Sequence, residues 1–390
     1  MKRKICVVTT TRAEYGLLSS LIEKINDDSE LLLQLIATGS HLSSEFGFTV
    51  NEIEEDGFTI SKKIEMLLSS DTPIGISKSM GLALISFAEA FDDLKPDIVI
   101  VLGDRYELLP IVSAATMALI PVAHISGGEV TEGVLDDSIR HAVTKLSHIH
   151  FTSIEEYRKR VIQLGECPSH TFNVGEIGLD NFLKVSLFSK DEFEKSINTT
   201  LKKHNLLITY HPVTTQSLAA NISAFSKILE ALDSADDTLL IFTKSNADSG
   251  GRILNKMIDE YIEQHNDQAI SFVSMGYQRY LSALRYVDAV IGNSSSGIVE
   301  APSFKIGTIN IGDRQKGRIQ SKSVINCEPE IDAINKALKK LYSKSFKKTL
   351  ESVTNYYGDG KSSERIVEIL KNIDIKKITR KKFHDVDFDL

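Results

Sequence analysis

The sequence predicts an α/β protein of two domains, each a doubly wound parallel sheet. Three observations carry that expectation. The chain has 390 residues, too many for one ordinary hydrophobic core. Short runs rich in Val and Ile recur along it, with segments of helical character between them. Nearly all these runs lack the apolar–polar alternation of a one-sided sheet, as strands covered by helices on both faces do.

The first series of strands is Ile5–Thr10, Leu31–Thr38, Asp97–Leu102, Pro121–Ile125, Ile149–Thr152 and Thr171–Val174. A second series follows at Leu206–Tyr210, Thr238–Thr243, Ile270–Val273, Ala289–Gly292 and Thr308–Ile311. Strand then helix, repeated, gives right-handed βαβ units and so two Rossmann-like halves. Between the series lie Gly175–Gly178 and the polar, Lys-rich stretch Ser189–Asn205, which place the hinge there. The expected divisions are 1–180, 181–365 and a tail, 366–390. A last helix spans about Ser362–Ile373. The tail beyond it swings from basic to acidic and is either loose or packed back on the first half.

Composition narrows the function classes. Apolar residues make up 42% and charged residues 25%, as in globular proteins. No run approaches the roughly 20 apolar residues of a membrane span. The opening MKRKICVVTT has a basic start, but its apolar stretch is short and reads as a buried strand rather than a secretion signal. Cys6, Cys167 and Cys327 are scattered, without metal-ligand spacing, which points to a reducing cytoplasm and to no structural metal. A net charge of −8 disfavours nucleic acid as a partner. An anionic ligand would then be held by locally placed cations and helix N-termini.

Open α/β sheets bind ligands beyond the carboxyl ends of their strands. The residues just after each predicted strand are therefore the candidates, and here they are polar and charged. After the first strand, Thr10-Thr11-Arg12-Ala13-Glu14-Tyr15-Gly16 leads into a helix expected from about Leu17. A single glycine is no dinucleotide fingerprint. Arg12 at a helix mouth suits a phosphate, or the segment is a solvated charged loop. After Asp97–Leu102 comes Gly103-Asp104-Arg105-Tyr106-Glu107. Asp104 either caps the next helix or stands as a carboxylate at a catalytic edge, with Arg105 beside it for an anion.

After Pro121–Ile125 come Ser126-Gly127-Gly128-Glu129 and then Asp136-Asp137-Ser138-Ile139-Arg140-His141. The glycine pair permits close backbone approach. Asp136 and Arg140 fall one helical turn apart, as do Asp137 and His141. In the second half, His211-Pro212 follows a buried strand, and histidine is the side chain best matched to proton transfer near neutral pH. Ser245–Gly251 suits a polar ligand or a plain turn. Gly292-Asn293-Ser294-Ser295-Ser296-Gly297 opens a short helix with Glu300 beyond it, an arrangement fit to cradle a diphosphate and meet ribose hydroxyls. Gly312–Arg318 adds Arg314, Lys316 and Arg318 beyond the last strand.

Taken in order, these loops resemble the hydrolysing UDP-N-acetylglucosamine 2-epimerases that make N-acetylmannosamine for sialic acid. The matching segments are TRAEYG, GDRYE, HISGGE, DDSIRHAVTKLSH, HPVTT, SNADSG, GNSSSG and INIGDRQKGR, running from Arg12 to Arg318. The resemblance implies a GT-B-like arrangement, with an active-site cleft between the domains, and a homodimer. It implies removal of the sugar C2 proton with anti elimination of UDP, giving a 2-acetamidoglucal, then hydration with inversion at C2. Neither a metal nor a cofactor is required by that chemistry. Carried over residue by residue, it makes His211 an acid/base group and Asp104 a catalytic carboxylate with Arg105 at the ligand. Arg12 and Ala13 fall on the nucleotide-binding turn, Ser294 and Ser295 on the diphosphate, Glu300 on the ribose and Arg314 on a phosphate. Asn246 and Asp248 fall on a loop near the nucleotide.

One departure stands out. Many members carry Glu, counted as catalytic, where this chain has Ser126. Serine cannot abstract a C–H proton without a base, so Glu129 or Asp137 supplies the carboxylate here, or the sugar differs. Related enzymes act on UDP-2,4-diacetamido-trideoxy sugars for legionaminic acid. The same sequence leaves room for a GT-B glycosyltransferase and for a non-catalytic nucleotide-sugar sensor.

Overall fold

The computed structural model describes residues 2–44, 47–68, 72–130, 135–213, 216–244, 251–273 and 275–387, apart from the side chains of 183 and 184. It contains two parallel α/β sheets. The chain divides into one unit of residues 1–181 with 357–390 and a second unit of 182–356. The second crossing therefore falls at 356/357, nine residues before the expected 365/366.

In the first unit, seven strands are β1 Arg3–Thr9, β2 Leu31–Thr38, β3 Ile60–Ile64, β4 Ile98–Leu102, β5 Val122–Ile125, β6 Ile149–Thr152 and β7 Thr171–Asn173. They lie in the order β3-β2-β1-β4-β5-β6-β7, every neighbouring pair parallel. Alternate residues of β1 feed opposite cores. Ile5 and Val7 join a cluster with Leu18, Leu21 and Ile22, whereas Cys6 and Val8 join one with Phe87, Phe91 and Val101. All four β1 side chains are fully buried, which explains the missing alternation.

In the second unit, β8 His204–Thr209, β9 Thr238–Thr243, β10 Ala269–Phe272, β11 Ala289–Gly292, β12 Gly307–Ile311 and β13 Val324–Cys327 lie in the order β10-β9-β8-β11-β12-β13. Two strands, β3 and β13, are absent from the expected list. Both are sheet edges, where one side needs no partner and polar residues are tolerated. Lys62 and Lys63 interrupt β3, and β13 is only four residues long.

The helix after β1 runs Arg12–Asp27 and so begins five residues earlier than expected. Its cap is Thr11, whose side chain accepts from the Glu14 amide at 3.2 Å. The Thr-x-x-Glu pattern that marks such a start was already present in Thr11–Glu14. Arg12 and Ala13 are thus first-turn helical residues. The helix Pro73–Leu94 is long and apolar enough to cross a membrane by length and composition, against the expectation from the bare sequence. Here it lays Ala83, Phe87, Ala90 and Phe91 into the core as one layer of the first unit.

The helix Ser362–Asn372, expected to be the last, belongs to the first unit and is followed by a single helical turn, Ile375–Ile378. Its Ile366 and Leu370 share a core with Leu18, Leu21 and Ile22 of the Arg12–Asp27 helix. Its start is held by the buried Asp180, whose carboxylate accepts from the Ser362 and Ser363 amides. A carboxylate on the free amides of a helix N-terminus is the favoured arrangement.

Candidate functional site

Strand order selects the site. In a doubly wound sheet the crevice opens where successive strands depart in opposite directions. That point lies between β1 and β4 in the first sheet and between β8 and β11 in the second. Arg12 and Asp104 follow β1 and β4, and His211 and Asn293 follow β8 and β11.

At the first edge the organising group is Arg140, on the helix Leu135–Leu146. Its side chain is buried, and its guanidinium hydrogen-bonds the Asp104 carboxylate. It also donates to the Glu129 carbonyl at 3.0 Å and lies 3.5 Å from the Asp137 carboxylate. Asp137 in turn stands 3.5 Å from the His141 ring. The Glu129 carboxylate accepts from Ser153 at 3.2 Å. Burial, with the nearby Asp104 charge, pushes the neighbouring Asp136 carboxyl above the usual carboxylate range. The carboxylates of Asp104 and Asp137 therefore share one cation, which also holds Glu129 by its backbone carbonyl. The sequence paired Arg140 with Asp136 by helical spacing, but its partners are Asp137 on the same helix and two residues from other loops, Asp104 and Glu129.

Behind Asp104 stands His124. Its Nε2 meets the Gly103 carbonyl at 2.7 Å and its Nδ1 meets the Thr144 hydroxyl at 3.1 Å. A carbonyl only accepts, so Nε2 carries the proton. Burial pushes the imidazole down to about 3, which keeps it neutral. It ties the residue before Asp104 to the Arg140 helix. The glycine pair serves the same packing. A Cβ at Gly128 would lie 2.4 Å from the Tyr157 carbonyl oxygen, and one at Gly127 2.9 Å from the Thr144 hydroxyl. Ser126, just before them, holds a left-handed backbone with φ 64°. Such backbone in a non-glycine residue is stored strain of the kind found at functional sites.

Arg105 donates to the buried Glu107 at 3.0 Å, with about half its side chain exposed. Glu14 lies buried after β1, accepting from the Thr10 amide at 2.6 Å and the Thr10 hydroxyl at 2.7 Å. Burial pushes its carboxyl up to about 7, against those hydrogen bonds, and the Glu107 charge adds to the rise. Arg12 is exposed and paired with Glu52 at 2.9 Å. Ala13 is exposed beside it.

At the second edge, Asn293 is fully buried and clamps the backbone of His211. Its Oδ1 accepts from the His211 amide at 2.7 Å and its Nδ2 donates to the His211 carbonyl at 2.8 Å. The Asn293 carbonyl accepts from Arg314 and from Gln315, each at 2.9 Å. Gly292 makes this approach possible. Its φ is 131°, and a Cβ there would sit 2.0 Å from the Thr209 carbonyl oxygen. Ser294 and Ser295 precede the short helix Ser296–Val299, and Glu300 closes it. Burial raises the Glu300 carboxyl, opposed by a hydrogen bond from Ser296. Ser296 is bonded in addition to the Tyr280 hydroxyl. His211, Ser294, Ser295, Glu300 and Arg314 thus ring the ends of β8, β11 and β12. Asn246 and Asp248 lie outside the described residues. Among those described, no group of three or more His, Cys, Asp or Glu is placed to hold a metal ion.

The order of these edges has a counterpart among known proteins. The model of the UDP-N-acetylglucosamine 2-epimerase family matches residues 23–371. The chain belongs to the UDP-N-acetylglucosamine 2-epimerase family. Similar proteins include enzymes named as hydrolysing 2-epimerases. A GDP/UDP-N,N'-diacetylbacillosamine 2-epimerase (hydrolyzing) of Campylobacter jejuni is 45% identical over 99% of this chain and 100% of its own. The polysialic acid biosynthesis protein P7 of Escherichia coli is 37% identical over 98% of each chain. The fold of this 2-epimerase is shared with the UDP-GlcNAc 2-epimerase of Neisseria meningitidis solved with UDP-GlcNAc. That structure has a TM-score of 0.77 at 17% identity, covering 94% of this chain and 99% of the other. The expected GT-B-like fold and the hydrolysing 2-epimerase class both hold.

Proposed function

We propose that this 2-epimerase acts on UDP-2,4-diacetamido-2,4,6-trideoxyglucose, releasing UDP and the free 2-epimeric sugar. The observation that carries this is the end-to-end likeness, at 45% identity, to the Campylobacter jejuni enzyme named for N,N'-diacetylbacillosamine, which is that sugar. Ser126 supports it. A small hydroxyl replaces a Glu at the mouth of β5, leaving polar room for a further substituent on the ring. A second reading, UDP-N-acetylglucosamine as substrate, is favoured by the family's own description.

The chemistry divides between the two edges. At the first, a carboxylate among Asp104, Glu129 and Asp137 takes the C2 proton, and Arg140 orients the set. UDP leaves from C1 on the opposite face, and water adds to the resulting 2,4-diacetamido glycal with inversion at C2. At the second, His211 works as an acid/base group beside the diphosphate. Ser294, Ser295 and Arg314 hold that diphosphate, with amides at a helix start adding to their charge. Glu300 accepts from the ribose. Arg12, Ala13 and Arg105 contact the ligand.

The test is nucleotide release from UDP-N-acetylglucosamine, the UDP-diacetamido sugar and its GDP counterpart, with the free sugars identified. A site built to hydrogen-bond a second acetamido group should favour that substrate by about 10²-fold or more in kcat/KM. A preference for UDP-N-acetylglucosamine would contradict the proposal and leave the second reading.

The implied homodimer is supported by the Pro73–Leu94 helix. Ile74 and Ile85 are 69% and 63% exposed on it, and Met117 and Leu119, at the end of the helix Leu108–Met117 packed against it, are 78% and 82% exposed. An apolar face of this kind marks an interface. Ile85→Glu should convert a dimer to a monomer in light scattering; a monomeric unaltered chain would refute the dimer.

A further inference from the structure

The carboxyl-terminal tail reaches the helix that carries Asp137 and Arg140. That helix ends at Leu146, and its last carbonyls have no partner within it. Lys381 supplies one. Its Nζ donates to the Lys145 carbonyl and to the Ser147 carbonyl, each at 2.6 Å. A cation on the carbonyl end of a helix is favoured by both the hydrogen bonds and the helix dipole.

The same ammonium is anchored from below. It lies 2.6 Å from the buried Glu166 carboxylate, which also accepts from Lys145 at 2.8 Å and from His150 at 2.9 Å. Burial opposes ionisation of Glu166, but the three donors outweigh it and hold the carboxyl down at about 2. The tail continues over this point. The Phe383 ring lies 4.7 Å from the Lys145 Nζ, and the His384 amide donates to the Gly165 carbonyl at 2.9 Å. Gly165 has no side chain to block the ring: a Cβ there would be 2.3 Å from it. Cap, buried ion cluster and ring thus converge on the last turn of one 12-residue helix.

We propose that Lys381 is a positioning residue for the reaction, holding the Leu135–Leu146 helix in the register that sets Asp137 and Arg140 against Asp104. Asp137 and Lys145 are eight positions apart, about 12 Å along a rigid helix, so a shift at the capped end is carried to the carboxylates. A misplacement of the order of 1 Å at a catalytic group costs about 10²-fold in rate, so a partial loosening should cost about tenfold. The inference rests on the 2-epimerase reading of these carboxylates.

The experiment compares the full chain with Lys381→Met, Lys381→Arg and Phe383→Ala, using UDP release from the preferred nucleotide sugar and amide exchange of residues 145–148. Lys381→Met should lower kcat about tenfold with KM within about twofold, and should speed exchange at 145–148. Lys381→Arg, which keeps charge and donors, should recover most of the loss. Phe383→Ala, a change at an exposed ring, should move both readouts the same way by a smaller factor. Wild-type kcat in Lys381→Met, or a lowered kcat with unchanged exchange at 145–148, would overturn the proposal. Absence of turnover in the unaltered chain would count against the 2-epimerase reading instead, while exchange would still decide whether Lys381 anchors the helix.

Discussion

Arg140 and Asp104, 36 positions apart, form a hydrogen-bonded ion pair that joins the end of β4 to the helix Leu135–Leu146. The arginine is buried and the aspartate partly exposed, so the pair presents a carboxylate outward from a fixed cation. Removing the carboxylate would take this partner from a buried guanidinium, and removing the guanidinium would free the carboxylate from its fixed position.

Arg140→Met should therefore lower turnover by about 10²-fold, as the orientation of Asp104, Glu129 and Asp137 is lost together. Arg140→Lys should recover only part, since one ammonium cannot span the fork of contacts that a guanidinium makes. UDP release measures both; activity within twofold of the unaltered enzyme in the Met variant would refute the role.

Asp104→Asn and His211→Ala should each lower kcat by about 10²–10⁴-fold. Their UDP affinity should fall far less, because proton transfer rather than nucleotide binding is removed. Calorimetric titration with UDP beside steady-state rates separates the two. Unchanged turnover in either variant would remove that residue from the chemistry.

Arg314→Ala should weaken UDP binding, by about tenfold for one charge-assisted contact, with a smaller change in kcat. Asn293→Ala should behave in the opposite way. It releases the His211 backbone, held at 2.7 and 2.8 Å, and so should cut kcat more than affinity. Titrating both variants with UDP tests the pair; equal affinity losses would argue against separate roles.

Glu14 makes stability depend on pH. Its folded carboxyl is raised to about 7 from the ordinary 4.5, so the folded state holds more protons than the unfolded state between those values. Stability must then fall as pH rises from about 4.5 to 7, by up to about 3 kcal/mol from this group. Glu14→Gln should flatten that decline, with Glu107 and Arg105 unaltered beside it. Denaturant unfolding at pH 5 and pH 7.5 measures it; a slope unchanged by the substitution would be the contrary result.

Most of the fold was legible because parallel strands buried on both faces read as unbroken apolar runs. Ile98–Leu102, with five buried residues, is the clearest case. The edges β3 and β13 were not legible, since an edge strand accepts lysines and short length. At the site, the position of Asp104, His211, Ser294, Ser295 and Arg314 after strands could be read directly. Arg140, His124 and Asn293 could not. Each acts through a backbone carbonyl, a backbone amide or a carboxylate on another loop, a relationship made by sheet order rather than by spacing. Arg12 was placed by the same reading, but its helix begins one turn early and its guanidinium lies on Glu52.

In the proposed reaction the sugar loses its C2 proton and regains one from solvent. Turnover in deuterated water, with mass and proton spectra of the released sugar, tests this most directly. One deuterium should be fixed at C2, with inverted configuration there. A released sugar with its original hydrogen at C2 would contradict it.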